Sequence, residues 1–427
     1  MNFRGIIFII PFLGYGQNLN VSDITHKGNT FTKDYVINRE IQHQTGVSLD
    51  SAIAEADKNR LINLGIFADV EWKAIPIDSK SVILEYKIIE NDDFFGGRFF
   101  GLGAPVYDEK TGWSFTGGGF LKNFRGRNEQ VGLGFSTGGF STIAFAYSNP
   151  WISGDHISFG SDIVKNKYDH PFLDYNIEIK SFEINVGRYF GYQRKTSLGF
   201  ELEEFRFFND TSFSKYQYIA PQGSFAYDTR DLYDNPKKGI LIREMFFSRF
   251  DLNGEIEKNI TWIQSLSIYK QLNSSDSDKP LILAWGAVTQ MNIGIKDKRF
   301  LSAMGSGNTV RGFIYPNRLV YNDNNQEHRF GFNNFYTSVE LRKNLIPRKV
   351  IADRYEFGAT IAVFIDYGAA TSDTFTKILE AQGLGSTGLS LQFEGPWPSI
   401  IRLDYGLGFH KNKYVENAIH LEIGHKI

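Results

Sequence analysis

"IIRLDYGLGF", residues 400–409, alternates without a break: Ile401, Leu403, Tyr405, Leu407 and Phe409 fall on one side, Arg402, Asp404, Gly406 and Gly408 on the other. A period of two sends successive side chains to opposite faces of a strand, so this segment is a strand with one apolar face and one face of charges and glycines. "SLGFELE" repeats the pattern, with Leu198, Phe200 and Leu202 opposed to Ser197, Gly199, Glu201 and Glu203, and the terminal "IHLEIGHKI" reads as continuing it to the last residue. From Gly96 onward helix signals vanish and about sixteen such segments follow, eleven before residue 305 and five after 333. Their spacing of roughly 20 residues is that of a strand plus its connection in a barrel that crosses a membrane twice per hairpin.

Alternation alone does not say which face is wet, because a soluble sandwich has the same period with the apolar face inward. Three features favour the inverted arrangement. The spacing exceeds the 8 to 12 residues usual in soluble sandwiches. Aromatics stand near strand ends, as in "YSNPWI" and "GRYFGY", where a membrane interface would hold them. The chain also opens with "MNFRGIIFIIPFLGYGQ", one positive charge followed by a short apolar run and small residues, which reads as a signal peptide over residues 1–16 cut before Gln17. Composition agrees with strands and tight turns: 38 Phe, 21 Tyr and 42 Gly against 12 Pro. A net charge of −2 and the lack of any basic run exclude a nucleic-acid field. With no cysteine, the exported chain uses no disulfides.

Residues 17–93 have another texture. "NVSDITHKGNT" reads as a strand and turn, "TKDYVINREI" as a short helix capped by Thr32, and "SLDSAIAEADKNRLINLGIF" as a second helix capped by Ser48, with Ile53, Ala56, Leu61 and Leu64 broadly on one face. "ADVEWKAI" and "SVILEYKIIE" follow as alternating strands. The order is β-α-α-β-β.

Enzyme-like patterns carry little weight here. "GFSTG" around Ser136 matches a nucleophile elbow, but a strand leads into it and no helix follows. "GLGSTG", residues 383–388, lacks a βαβ setting and reads as a glycine-rich turn. His420 and His425 are five apart on what reads as one strand, on opposite faces, and do not share a metal.

The β-α-α-β-β order, the "GN" turn after the first strand and "LINLGIFADVEW" leaving the second helix resemble a single polypeptide-transport-associated (POTRA) domain. Beyond it, "GGGFLKNFRGRNEQVGLGFSTGG", "FAYDTRDLYDNPKKGILIREMFF", the "VRGF" of "GSGNTVRGFIYPN" (305–317), "NNFYTSVELRKNLIP", "AVFIDYGAA" and "GLSLQFEGPWPSIIRLDYGLGF" resemble, in order, the barrel of the BamA/TamA-type outer-membrane assembly superfamily. The resemblance implies an α+β POTRA domain at 17–93 in the periplasm, followed over 94–427 by an all-β, 16-stranded antiparallel transmembrane barrel.

It also implies a site. The loop carrying Val310, Arg311, Gly312 and Phe313 folds back into the lumen, where Arg311 pairs with acids on two neighbouring strands, matched here by Glu340 and Asp366. A buried guanidinium needs carboxylate partners, and its fork can meet two of them. A lateral seam is implied between the first strand, weakened by Gly96, Gly97, Gly101 and Gly103, and the last, with Ile419, Leu421, Ile423 and Ile427 on its outward face. The family's terminal residue is usually aromatic, whereas this chain ends in Ile427.

The implied function is insertion of outer-membrane proteins through that seam, with no catalytic residue, metal or cofactor. Expected partners are outer-membrane lipid, unfolded outer-membrane or secreted client proteins, and accessory periplasmic or lipoprotein subunits. The alternative is a pore that secretes one exported partner. Such transporters usually carry two POTRA domains and a plug helix, for which Gln17 to Asn20 leaves no room.

Overall fold

The computed structural model describes residues 19–426 apart from 92–98, 109–111, 155, 254–258, 275–276, 295–297, 352–354 and 396–399. The leader at 1–16, Gly96, Gly97 and Ile427 therefore lie outside the described residues.

Strand β1 (Asn20–Lys27) is followed by helices α1 (Asp34–Asn38) and α2 (Ser51–Asn63), then by β2 (Phe67–Pro76) and β3 (Ser81–Glu90). β3 is central, parallel to β1 and antiparallel to β2. Its alternation buries Val82, Leu84, Tyr86 and Ile88 against Val36, Ile37, Ala54 and Leu61 from the helices. Both expected caps are corrected. Asp50, not Ser48, caps α2, accepting from the Ala52 and Ile53 amides at 2.8 and 3.2 Å. Thr32 does not cap α1; its hydroxyl donates to Glu90 at 2.5 Å, and Lys33 holds the cap position without a side-chain bond. The inner face of α2 is Ala54, Asp57 and Leu61, with Ile53 and Ala56 exposed. Asp57 is buried because it accepts from Tyr86 Oη at 2.9 Å and from the Gln42 and His43 amides, which offset the cost of its burial.

Eleven strands follow: β4 (Phe99–Asp108), β5 (Gly112–Phe124), β6 (Glu129–Gly138), β7 (Phe140–Ser153), β8 (Ile157–Asp169), β9 (Asn176–Phe190), β10 (Arg194–Phe208), β11 (Phe213–Asp228), β12 (Gly239–Asp251), β13 (Asn259–Gln271) and β14 (Leu281–Ile293). A long loop then carries the paired two-residue strands β15 (Ser302–Ala303) and β16 (Phe330–Gly331) and helix α3 (Arg318–Tyr321). Five more strands close the chain: β17 (Asn333–Ile351), β18 (Tyr355–Thr371), β19 (Leu384–Glu394), β20 (Ile401–His410) and β21 (Lys413–Ile423). β4 to β14 and β17 to β21 form one 16-stranded sheet in chain order, antiparallel throughout. Ser136 lies within β6, not at a nucleophile turn, and 384–388 lies within β19, which corrects the reading of that stretch as a glycine-rich turn.

Polarity is inverted relative to a soluble fold. On β18, Val363 and Ile365 are 52% and 63% exposed while Phe364 and Asp366 are buried; on β21, Ile419, Leu421 and Ile423 are exposed while His420 is buried. The apolar row faces outward, as a hydrocarbon solvent requires. No described helix is long and apolar enough to cross a membrane, so crossing falls to the strands.

The N-terminal β-α-α-β-β unit is seated against the barrel's inter-strand turns. Asn123 Nδ2 donates to Thr32 Oγ1 at 2.8 Å, the Lys33 amide to Gly126 O at 2.9 Å, Tyr192 Oη to Arg39 O at 2.6 Å, and Asn63 Nδ2 to Asp231 O at 3.1 Å. Arg39 lies 4.7 Å over Trp151, and His156 stacks between Trp151 and Tyr189 at 3.8 and 4.0 Å. Burial pushes the Glu40 carboxyl up to about 7, against the pull of Arg39 and Arg60.

The end of the chain departs from the alternation. β21 stops at Ile423, and Gly424, at φ 96°, turns the chain inward. His425 is thus not on the strand of His420, and both face the lumen, where His420 meets Gly312 and His425 meets the Asp234 carbonyl.

Candidate functional site

The loop between β14 and β17 descends into the lumen because it is built to bend and to fit. Gly305 and Gly312 have φ of 99° and 85°, which only glycine adopts without strain. Gly312 lies so close to β20 that an added Cβ would stand 2.8 Å from Gly406 C and 2.9 Å from Leu407 C; a Cβ on Gly408 would stand 2.7 Å from Gly312 O. Val310 and Phe313 anchor the two ends of the turn in an apolar cluster with Met304, Ala370 and Leu384. The glycines of β20 therefore act as a bed for the loop.

Between the anchors Arg311 is fully buried. Its Nε and Nη2 donate to the two oxygens of Asp366 at 2.8 Å each, and its backbone amide reaches Asp366 Oδ2 at 3.1 Å. Nη1 donates to Glu340 Oε1 at 2.6 Å and Nη2 to Ser338 Oγ at 2.9 Å. The guanidinium also lies 3.5 Å over the ring of Phe364. A planar fork bound bidentately to one carboxylate and singly to another fixes position and orientation together. The structure thus brings Arg311, Glu340 and Asp366 into one contact set.

That set is part of a larger polar core on the inner face of β17 to β21. Arg342 Nε donates to Glu340 Oε2 at 2.8 Å, Arg402 pairs with Asp404 at 2.7 Å, and Arg402 Nη2 donates to Gly307 O at 2.9 Å. Asp404 lies 3.7 Å from Arg311, and the Gly312 amide donates to His420 Nε2 at 3.1 Å. Lys426 Nζ lies 3.1 Å from Asp366.

Reading the sequence for acids alone missed Ser338, Phe364, Arg342, Arg402, Asp404, His420 and Lys426. A signal existed for some of them: Phe364 is an aromatic on the polar face of its strand, and Gly406 and Gly408 share a face with Arg402 and Asp404. Nothing local marked Lys426, which reaches the site only because Gly424 reverses the chain.

Gly101 and Gly103 lie in β4, and Ile419, Leu421 and Ile423 on the outer face of β21. Among the described residues no ladder joins β4 to β21; they are the two ends of the sheet. No group of His, Asp and Glu among the described residues has a metal-binding arrangement.

The Omp85 superfamily domain matches residues 123–427, and a POTRA-type surface antigen variable number repeat matches 19–91. The chain is 22% identical over 155 residues to the outer membrane protein assembly factor BamA of Neisseria meningitidis, covering 36% of this chain and 19% of that protein. It is 21% identical over 240 residues to BamA of Nitratidesulfovibrio vulgaris, covering 53% and 29%. Each match thus spans less than a third of the relative's length.

Two solved structures share the fold. BamA from Haemophilus ducreyi lacking POTRA domains 1–3 has a TM-score of 0.55 at 18% identity, covering 95% of this chain and 84% of that one. CdiB from Acinetobacter baumannii has a TM-score of 0.55 at 15% identity, covering 96% and 74%. A domain match over most of the barrel, a POTRA match ahead of it and an outward apolar face lead to one conclusion: the chain belongs to the Omp85 superfamily, as a non-enzymatic outer-membrane β-barrel with a periplasmic POTRA domain.

Proposed function

We propose that this protein assists the insertion of outer-membrane proteins by offering the edges of β4 and β21 to client strands. One observation carries the reading: the sixteen-stranded ladder ends at these two strands, and no pairing between them is present among the described residues. Unpaired edges bind other strands readily, and in a barrel every other edge is consumed. Gly101 and Gly103 weaken the first of the two edges further. The clamped loop complements this arrangement. By tying Arg311 to β17 and β18 and Gly312 to β21, it keeps the second half of the sheet in shape while the seam is free. The two relatives called assembly factors support the same reading.

The test is reconstitution. Proteoliposomes containing the protein receive a urea-unfolded outer-membrane barrel client, and folded client is counted by heat-modifiable migration. The account expects faster client folding than in empty liposomes. A rate equal to the empty control, with passage of an exported partner protein into the liposome instead, transfers the function to secretion.

A further inference from the structure

At the end of the barrel opposite the POTRA domain, β8 to β11 change the chemistry of their outward face. Strand pairing fixes which side chains share that face. Phe205, Phe207 and Tyr218 are buried in the lumen, where Phe205 and Phe207 pack on Phe300 of the long loop at 5.6 and 5.7 Å. Their neighbours along each strand therefore point toward lipid. The last apolar row across the four strands is Ile163, Phe182, Leu202 and Ile219. Beyond it lies a row of Lys165, Lys180, Glu204 and Gln217, and then a row of Lys167, Glu178, Arg206 and Lys215. On β20 the outward row, Ile401 to Phe409, carries no charge over the whole strand, whereas on β10 it turns charged at Glu204, four residues before the end.

Within the two rows five cations meet two carboxylates. The flanking strands add no charge at this level: β7 sets Ile143 and Ser141 beside Lys165 and Lys167, and β12 sets Phe250 beside Ile219. Asp169 and Asp210 stand further from the membrane, and cations remain in the majority with both included. The two glutamates are held mainly by others. Arg206 Nη2 lies 2.6 Å from Glu204 and its Nη1 3.3 Å from Glu178, and Lys215 Nζ lies 3.0 Å from Glu204. Lys165 stands 3.7 Å from Glu178, and Lys180 stands 3.6 Å from Glu178 and 3.7 Å from Glu204, longer than a hydrogen bond, with 51% and 44% of the two side chains exposed. Lys167 lies 5.6 Å over the Phe208 ring. Each ammonium carries three donors, so these lysines keep N–H groups for an anion outside the protein.

We propose that the outward face of β8 to β11 binds the phosphate groups of lipid headgroups at the external surface of the membrane. An amphiphile fits both halves of it, with acyl chains against the last apolar row and an anionic head against the lysines directly beyond. Phosphate oxygens accept several hydrogen bonds at once, which suits ammonium groups that arrive from separate strands. A soluble anion would use only the charged half. The surface lies mid-sheet, far from β4 and β21, so it is independent of whether the protein inserts or secretes.

Native mass spectrometry of the full chain released from nanodiscs tests the proposal. The nanodiscs hold phosphatidylcholine with about a tenth of bisphosphorylated lipid A, or of the same lipid A with its phosphates removed. The unaltered chain is expected to retain the phosphorylated form about tenfold more than the dephosphorylated one, and less as salt rises. Lys165→Gln, Lys167→Gln and Lys180→Gln together are expected to abolish the preference. Lys167→Gln alone is expected to lower it about threefold and serves if the triple variant does not assemble. Lys73→Gln, Lys80→Gln and Lys87→Gln together, at exposed positions of the POTRA domain, form the charge-matched control and are expected to keep it. Millimolar inorganic phosphate is expected to leave the lipid in place. Equal retention of the two lipid forms, an unchanged preference in the β8 and β9 variants, an equal loss in the control, or displacement by inorganic phosphate overturns the proposal.

Discussion

The POTRA unit and the barrel bury opposite chemistries. Beneath the POTRA sheet the fully buried residues are nearly all apolar, among them Val36, Ile37, Leu61, Val70 and Leu84, with Asp57 held by Tyr86 as the charged exception. Inside the barrel they include Arg311, Arg342, Arg402, Glu340 and Asp404 beside the loop anchor Val310 and the Phe364 ring, while the apolar row looks outward. Both regions use the period-two alternation of a strand, so the difference lies in the solvent. Water surrounds the first and drives apolar groups inward; hydrocarbon surrounds the second, leaves them outside and requires polar groups to satisfy one another within. The first interior is held by non-directional packing and tolerates adjustment. The second is held by paired charges, and each partner's absence leaves another stranded.

The comparison breaks most sharply at Arg311. Arg311→Ala leaves Glu340 and Asp366 without their shared cation, a loss of ~3–5 kcal/mol concentrated on the loop because the strand ladder persists elsewhere. Client processing should fail while the barrel keeps its heat-modifiable migration, and Arg311→Lys should restore it only in part, since an ammonium cannot form the planar fork. Next is the packing counterpart. Leu61→Ala should cost about 2–5 kcal/mol through a cavity confined to the POTRA core, measurable as a lower urea midpoint for that domain with the barrel transition unmoved. If the barrel transition follows, the two interiors are not independent.

Smaller again is Gly312→Ala. The new Cβ meets backbone of β20 at 2.8 Å and the residue keeps a positive φ, which together should cost about 1–3 kcal/mol of loop docking, read as faster proteolysis between 305 and 317. The smallest expected effect lies where the two regions meet. Glu40, raised from 4.5 to about 7 by burial that Arg39 and Arg60 only partly offset, binds its proton more tightly in the seated state than in water. Seating is therefore favoured below the ordinary carboxyl pKa and is weakened as pH rises from about 4.5 to about 7, after which it levels. A dye on Val47→Cys, in a chain with no other cysteine, should show POTRA release at lower urea at pH 8 than at pH 5, and Glu40→Gln should flatten the difference.

What the sequence made legible follows the same division. Alternation marked the barrel strands because each one is wet on one face and in lipid on the other, and Arg311, Glu340 and Asp366 stood out as charges in an order that a known family shares. Thr32 and Ser48 look like capping residues by position, but neither caps a helix. Thr32 instead hydrogen-bonds to Glu90, and Asp50, two residues on from Ser48, takes the cap. The buried face of α2 was misread because Asp57, a charge, belongs to it through Tyr86, a partner that is 29 residues away. Lys426 was unreadable for a related reason. A single left-handed glycine decides whether the last residues continue the strand or enter the lumen, and "GHKI" alternates well enough to hide the turn.

The claim on which the rest depends is that the loop is held in the lumen by the Arg311 charge set. Val310, fully buried beside Arg311, can be replaced by cysteine with little change in volume, giving a single thiol that a membrane-impermeant maleimide reaches only when the loop lifts. The account predicts that Val310→Cys alone stays unlabelled in intact cells and in detergent, and that adding Arg311→Ala makes it label rapidly while the barrel remains folded. Equal labelling with and without Arg311 would show that the arginine does not hold the loop.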